Sequence, residues 1–204
     1  MKKLFYIGII GLILFEIANV YFIMPMPGSQ RMNSIDAAYF LHTWRWVFRA
    51  VFGGMALVGA FVAFRGKKWE PYVAGICILA VAAVTYAANF KMAADSMFYQ
   101  PSVLTLKNRI DNKVAKERLV IGVEVNGQTR AYPIQYIGYH DQVQDTLGGK
   151  PIIVTYCTVC RTGRVFEPLV DGKKETFRLV GMDHFNAMFE DKTTGSWWRQ
   201  ANGE

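Results

Sequence analysis

Three apolar runs before residue 90 constrain the fold of this chain more than any other feature of its sequence. They extend from Leu4 to Met24, from about Trp46 to Phe64, and from Pro71 to about Asn89. A helix rises about 1.5 Å per residue, so each run matches the roughly 30 Å thickness of a bilayer core. We therefore predict a membrane domain over residues 1–90 with three transmembrane helices.

The first run carries an ionisable residue, Glu16, near its middle. No small-x-small cleavage site follows this run, so we expect an uncleaved anchor rather than a signal peptide. A carboxylate is costly in lipid, and Glu16 should therefore face another helix. The next part of the chain offers three candidate partners, which are His42, Arg45 and Arg49.

The second apolar run is rich in small residues, which let membrane helices approach closely. These residues are Gly53, Gly54, Ala56, Gly59 and Ala60. Upstream of the run, Ser34 is a predicted N-cap for a helix that begins near Ile35 and continues into the second run.

The basic residues that flank the runs predict the orientation of the chain in the membrane. With the N-terminus in the cytoplasm, five of them lie inside and three outside: Lys2, Lys3, Arg65, Lys67 and Lys68 against Arg31, Arg45 and Arg49. Basic residues favour the cytoplasmic side. We therefore predict a multi-pass protein of a bacterial-type cell membrane, with a cytoplasmic N-terminus and an extracytoplasmic C-terminal domain.

The overall composition agrees with a membrane protein, because 52% of the residues are hydrophobic and only 19% are charged. The net charge of +7 could indicate nucleic-acid binding. However, no run rich in Lys and Arg with interleaved aromatic residues occurs in the polar half of the chain. We expect no nucleic-acid partner, and the lipid bilayer is the partner that the sequence indicates.

After a linker over residues 91–116, short apolar runs alternate with turn residues. Four pairs of runs flank turn signals: Leu119–Val125 and Thr129–Ile134 around Asn126-Gly127, Gln142–Leu147 and Lys150–Tyr156 around Gly148-Gly149, Arg164–Leu169 and Glu175–Val180 around Asp171-Gly172, and Ala187–Asp191 and Ser196–Gln200 around residues 192–195. Residues 135–140 are predicted to form one helical turn. We predict a mostly-β domain of antiparallel hairpins over residues 117–204, sandwich-like or barrel-like.

The candidate chemistry lies at the end of one predicted strand, where Cys157 and Cys160 form a Cys-x-x-Cys pair. Such a pair can close a short disulfide, and Arg161 and Arg164 just behind it would favour the thiolate that exchange requires. An imidazole titrates near neutral pH, and an antiparallel pair around the double glycine places His140 opposite Cys157. We predict Cys157, Cys160, His140 and Arg161 as catalytic residues, and we expect Cys77, inside the third apolar run, to be inert.

The same cysteines allow a metal site. They supply two ligands, and His140 and His184 could complete a Cys2His2 zinc set, or one imidazole could complete a copper set. An exported location also permits a structural disulfide. The cofactor therefore stays open between none, a copper ion and a zinc ion.

Four blocks of the chain, VIGVEVNGQTRAYPI, GYHDQVQDTLGG, PIIVTYCTVC and GSWWRQANGE, resemble the family with the domain of unknown function 3179 (DUF3179). The resemblance covers about residues 119–204. It implies that His140, Asp145, Cys157 and Cys160 occupy the family's polar positions, whereas His184 stands where members usually carry Asn. Members normally continue beyond the last block, so we expect a truncated β domain. The resemblance assigns no reaction.

Two functions of different classes follow. The first is a membrane-anchored, extracytoplasmic thiol-disulfide oxidoreductase with an unknown protein or thiol as redox partner. The alternative is a metal-binding module, or a non-catalytic interaction module with a structural disulfide.

Overall fold

The computed structural model describes residues 1–98 and 103–204, and the chain forms two units, Met1–Ser96 and Met97–Glu204. The predicted linker over residues 91–116 includes residues 99–102, which lie outside the described residues. The first unit is helical, and the second is made mostly of antiparallel strands.

The helical unit contains α1 (Lys2–Tyr21), α2 (Ile35–Thr43), α3 (Arg45–Phe64) and α4 (Glu70–Tyr86), and α4 continues into a π-helical turn, Ala87–Lys91. Three helices, α1, α3 and α4 with its π turn, are long and apolar enough to cross a membrane. The apolar runs of the sequence therefore predicted the number and the type of these elements.

The prediction of one helix from Ile35 into the second apolar run is wrong, because the chain breaks between α2 and α3 at Trp44, where φ is −92° and ψ is 11°. The Arg45 guanidinium donates to the backbone oxygen of His42 at 2.6 Å, and it thereby satisfies a carbonyl at the end of α2. Ser34 lies at the N-cap position of α2, but its hydroxyl donates to the Met32 carbonyl rather than capping the helix.

Small residues bring α1 and α3 into backbone contact. A Cβ added at Gly8 would lie 2.5 Å from the Ala56 nitrogen, and one added at Gly59 would overlap the backbone of Phe5. The predicted role of Gly59 and Ala56 in close packing is confirmed. Gly53 and Gly54 have open space around them and do not take part.

A polar cluster joins three segments of the helical unit. The Glu16 side chain is 1% exposed and accepts hydrogen bonds from Arg49 Nε at 2.7 Å and Arg49 Nη2 at 3.0 Å. Arg49 Nη2 also donates to Asn89 Oδ1 at 2.7 Å, while Asn89 Nδ2 donates to Glu16 Oε2 at 3.1 Å. Of the three candidate partners for Glu16, the structure therefore selects Arg49, and it adds Asn89 from the π turn.

The described residues of the β unit begin with a 3-10 turn, Arg109–Asp111, and continue with one α-helix and ten strands: β1 (Val120–Val125), β2 (Gln128–Pro133), α5 (Ile134–His140), β3 (Gln142–Leu147), β4 (Lys150–Cys157), β5 (Thr162–Phe166), β6 (Leu169–Val170), β7 (Lys173–Lys174), β8 (Phe177–Asp183), β9 (Asn186–Asp191) and β10 (Trp197–Arg199). They form antiparallel sheets in the orders β1-β2, β3-β4-β5, β6-β7 and β10-β9-β8. No closed barrel forms over the described residues.

The hairpins predicted at Asn126-Gly127 and Gly148-Gly149 are confirmed as β1-β2 and β3-β4, and the last predicted hairpin is confirmed as β9-β10. The pairing predicted around Asp171-Gly172 is wrong beyond the two-residue strands β6 and β7. Strand β5 pairs with β4 instead, and β8 pairs with β9. Strand β4 is buried over residues 152–155, and its backbone therefore needs a partner on both edges.

The two three-stranded sheets share a cavity of about 100 Å³. Ile153, Thr155 and Phe166 line it from one sheet, and Phe189 and Trp198 line it from the other. A separate apolar core lies between the β1-β2 hairpin, α5 and the other face of β3 and β4, with Tyr132, Ile137, Val143, Leu147, Ile152 and Val154 as its buried members. The β3-β4-β5 sheet is therefore covered on both faces.

A buried carboxylate fixes the turn between β9 and β10. Asp191 accepts hydrogen bonds from the Thr194 amide and hydroxyl at 2.6 Å each, from the Ser196 amide at 3.2 Å and from Trp198 Nε1 at 3.0 Å. Although burial opposes ionisation, these donors lower the pKa of Asp191 to about 2. Both Trp197 and Trp198 are half-buried, so the turn holds the two aromatic side chains against the sheet.

The polar cluster of the helical unit yields the first prediction. Arg49→Met leaves the Glu16 carboxylate buried without its cation, and we expect the free energy of unfolding in detergent micelles to fall by about 3 kcal/mol. The double variant Glu16→Leu, Arg49→Met should recover most of this loss, because no unpaired charge remains. If the losses in the free energy of unfolding for the two single variants simply added in the double variant, Glu16 and Arg49 would not be energetically coupled.

Candidate functional site

The Cys-x-x-Cys pair occupies the turn of the β4-β5 hairpin. Strand β4 ends at Cys157, which pairs with Thr162 at the start of β5. The four residues between them include Cys160 and Arg161, and Arg161 has a φ of 53°. We call Cys157–Arg161 the thiol turn. A β-turn therefore sets the spacing of the two sulfurs.

The two thiols of this turn differ in access. Cys157 is 1% exposed, whereas Cys160 is partly exposed, and both are free thiols. Cys157 Sγ accepts a hydrogen bond from the Cys160 amide at 3.3 Å and donates to the Phe185 carbonyl at 3.6 Å. Burial, followed by the proximity of the Cys160 side chain, raises the pKa of the Cys157 thiol. Cys160 is therefore the thiol that an external reagent can reach.

A side-chain amide from the neighbouring sheet contacts the accessible thiol. Asn186 Nδ2 donates to Cys160 Sγ at 3.4 Å. The Ala201 amide donates to Asn186 Oδ1 at 2.8 Å, which fixes the orientation of the amide and points its nitrogen at the sulfur. A donor at this position stabilises a thiolate more than a thiol.

A second amide, that of Gln200, ties this arrangement to both sheets. Gln200 is 1% exposed and accepts from Asn186 Nδ2 at 3.4 Å. Its own Nε2 donates to Thr155 Oγ1 at 3.1 Å and to the Thr162 carbonyl at 2.9 Å. Cys160, Asn186, Gln200 and the two threonines thus form one hydrogen-bonded chain across the sheets.

The turn between β8 and β9 lies against the thiols. Asp183 pairs with Asn186, and the two residues between them, His184 and Phe185, have φ values of 49° and 61°. Left-handed backbone costs a residue with a Cβ about 1–2 kcal/mol. His184 Nδ1 lies 2.8 Å from Asp183 Oδ1, and Phe185 is 44% exposed. We call this pair of residues the His-Phe turn.

Two other predicted site residues, His140 and Arg164, make contacts of their own. His140 is the last residue of α5, its ring meets that of Tyr139 edge-on at 5.3 Å, and it lines a cleft with β2. Continuing the β3-β4 register would place it opposite Cys157, but the chain bends at Asp141, where φ is 67°. Arg164 Nε donates to the Ala201 carbonyl at 3.0 Å. A supporting role for His140 stays a prediction.

Asp145 serves the fold of the β unit. It forms an ion pair with Arg130 and accepts a hydrogen bond from the Tyr132 hydroxyl at 2.6 Å. Burial opposes ionisation, but the hydrogen bonds from Tyr132 and Arg130 lower the pKa of Asp145. This side chain therefore ties β3 to the β1-β2 hairpin.

Sequence reasoning missed Asp141, Asn186 and Gln200. Asp141 is 2% exposed, its Oδ2 accepts no hydrogen bond from any described residue, and burial raises the pKa of its carboxyl to about 7. It directly follows His140 within the GYHDQ block, which was the signal available for it. Asn186 and Gln200 carried no signal, because buried amides look like surface residues in a sequence.

The four candidate metal ligands do not form a preassembled set. Among residues 1–98 and 103–204, no three His, Cys, Asp or Glu side chains come close enough together to hold an ion. His184 is paired with Asp183, and the two cysteines contact backbone groups and Asn186. A metal-binding function stays a prediction without a ligand cluster in the described part of the chain.

Comparison with known proteins places the β unit in a family. The model of the family described as "Protein of unknown function (DUF3179)" matches residues 99–204, which is more than half of the chain. The chain therefore belongs to this family, as the sequence blocks predicted. No curated protein and no solved structure matches it.

The contact between Asn186 and Cys160 yields the second prediction. Asn186→Asp places a carboxylate beside the sulfur, which disfavours the thiolate, and we expect alkylation of Cys160 at neutral pH to slow about tenfold. Asn202→Asp is the matched control, because it adds the same charge at an exposed position. The rates are measured by mass spectrometry of the labelled peptide. Equal slowing in both variants would mean that the Asn186 amide does not act on the sulfur.

Proposed function

For this member of the DUF3179 family, we propose a membrane-anchored, extracytoplasmic thiol-disulfide oxidoreductase in which Cys157 and Cys160 alternate between dithiol and disulfide. The observation that supports it most is the asymmetry of the pair. Cys160 is accessible and has an amide donor at its sulfur, whereas Cys157 is buried directly behind it. The Cys160 thiol can therefore react with a substrate, and the Cys157 thiol is placed to resolve the mixed disulfide that results.

Cys160 is the attacking residue in this proposal. Its thiol gives a proton to solvent, and the thiolate attacks one sulfur of a substrate disulfide. The substrate S–S bond breaks as the S–S bond to Cys160 forms, and the first substrate sulfur leaves as a thiolate that takes up a proton. The product is a mixed disulfide on the accessible side of the thiol turn.

Cys157 resolves this intermediate. It loses its proton and attacks Cys160 Sγ, so the Cys157–Cys160 bond forms, the mixed disulfide breaks, and the second substrate sulfur leaves and is protonated. Two electrons pass from the protein dithiol to the substrate disulfide. The reverse sequence, with a substrate dithiol, restores the reduced pair. Arg161, exposed in the same turn, adds positive charge near the thiolate.

The burial of Cys157 also favours the alternative, in which the pair closes a structural disulfide in a non-catalytic interaction module. The two functions differ in reduction potential. A structural disulfide in an exported protein is typically below about −300 mV, whereas catalytic pairs have higher potentials. Equilibration of the purified protein in thiol–disulfide buffers therefore separates them.

The proposed location rests on the three apolar helices and on the basic residues at their ends. Large apolar side chains, such as Leu57, Tyr72 and Leu79, are more than 70% exposed on α3 and α4, as expected of helices that meet lipid. The five-to-three distribution of basic residues favours a cytoplasmic N-terminus. The thiol turn would then lie in a compartment that permits disulfides.

The order of the two thiols is the third prediction. At neutral pH we expect Cys160 to be alkylated at least about tenfold faster than Cys157, because Cys157 is buried and its raised pKa leaves a smaller thiolate fraction. The ratio of the two alkylation rates should fall as the pH rises towards the pKa of Cys157. Cys157→Ser should accumulate a mixed disulfide with a peptide disulfide, and Cys160→Ser should not.

Cys77→Ser is the matched control for these variants, because Cys77 belongs to the helical unit. It should leave both alkylation rates unchanged. Faster labelling of Cys157 than of Cys160 would reverse the proposed order. If the wild-type protein showed no thiol-disulfide exchange with any substrate disulfide, the proposed function would be refuted.

The orientation in the membrane is the fourth prediction. Alkaline phosphatase folds only outside the cytoplasm, since it needs disulfides, so its fusion after Glu204 should be active in bacterial cells. A fluorescent reporter that matures in the cytoplasm should be dark at the same junction. The opposite pattern would place the thiol turn in the cytoplasm.

A further inference from the structure

The residue types of the His-Phe turn do not suit its backbone. Four hairpins of the described chain have two-residue turns in which both central residues have positive φ. In three of them the second residue is Gly: Asn126-Gly127, Gly148-Gly149 and Asp171-Gly172. Such turns favour Asn-Gly, Asp-Gly and Gly-Gly. The fourth turn, which carries His184 and Phe185 instead, is the one beside the thiols.

Backbone strain at a residue with a bulky side chain persists only where the surrounding structure holds it, and it concentrates at functional sites. Here the strained backbone does two things. Its Phe185 carbonyl accepts from Cys157 Sγ at 3.6 Å, and Asn186, the next residue, donates to Cys160 Sγ at 3.4 Å. A Gly in place of Phe185 would keep these backbone positions, so the contacts alone do not explain the side chain.

The turn that contacts the thiols through its backbone also exposes apolar side-chain surface. Phe185 is 44% exposed, and Val159, between the two cysteines, is 51% exposed. Next to Phe185 in the chain, His184 contacts Asp183 at 2.8 Å, and Asp183 also accepts a hydrogen bond from Arg199 Nε at 2.8 Å. The two turns therefore offer apolar contact together with an exposed cation, Arg161.

We propose that the His-Phe turn is the substrate-recognition element of the thiol site, and that its substrate is a polypeptide disulfide flanked by an apolar residue. This inference rests on the proposed exchange reaction and names its substrate class. Phe185 and Val159 contact the apolar neighbour of the substrate cysteine and hold its disulfide against Cys160. The strain of the turn is retained because an Asn-Gly turn would have no ring at this position.

The test compares two disulfide-bonded peptides that differ in one residue beside the cysteine, Leu in one and Ser in the other. Exchange is followed with the full-length protein in detergent. The wild-type protein should react at least tenfold faster with the Leu peptide. In His184→Asn, Phe185→Gly, the rates for the two peptides should become equal within about twofold, and the thermal midpoint of the β unit should rise because the turn sequence now suits its backbone.

Two further variants sharpen this test. Phe185→Leu should retain most of the preference, since it keeps an apolar side chain. Asp171→Asn creates an Asn-Gly turn in the β6-β7 hairpin, which supplies none of the hydrogen bonds to the two sulfurs, and it should leave the ratio of the two rates unchanged. A preference that survives in His184→Asn, Phe185→Gly, or a thermal midpoint that falls there, would overturn the inference. Absence of exchange with both peptides in the wild-type protein would instead refute the proposed function.

Discussion

The geometry of the thiol site depends on one buried side-chain amide, that of Gln200. Its backbone amide donates to the Ala187 carbonyl at 2.9 Å, and its side chain bonds to groups of β4, β5 and the start of β9. A buried amide that lost one of these partners would leave an unsatisfied group, at a cost of about 1–3 kcal/mol. The two sheets therefore have one mutual arrangement that satisfies the amide, and that arrangement brings Asn186 to Cys160.

In the helical unit, a buried ion pair selects the packing arrangement, as the Gln200 amide does in the β unit. Apolar helices pack in many ways, and small residues such as Gly8 and Gly59 only permit close approach. The carboxylate of Glu16 is more demanding, because burial without a cation is costly and the Arg49 guanidinium must lie where it can make both of its hydrogen bonds. In both units, apolar packing allows several arrangements of the helices or sheets, and a few buried polar groups select one of them.

The sequence predicted those elements whose cause is local. The length of the apolar runs predicted the three long helices, and the dipeptides Asn126-Gly127 and Gly148-Gly149 predicted two of the hairpins. Prediction failed where a turn had no turn-forming residues. Thr158-Val159 and His184-Phe185 contain no Gly, Pro, Asn or Asp, so the β4-β5 and β8-β9 hairpins went unrecognised and their strands were assigned other partners. The amide network was invisible because its members lie far apart in the chain and meet only after the sheets form.

The π-helical turn at the end of α4 has a consequence for the geometry of the helical unit. Its closing hydrogen bond runs from the Met92 amide to the Ala87 carbonyl, five residues back, so this turn holds one residue more than an α-helical turn. Each residue of an α-helix advances the side-chain direction by about 100°. A regular helix would therefore project Asn89 elsewhere, away from Glu16 and Arg49. The extra residue thus rotates the side-chain direction, and the hydrogen bonds of Asn89 to Glu16 and Arg49 depend on that rotation.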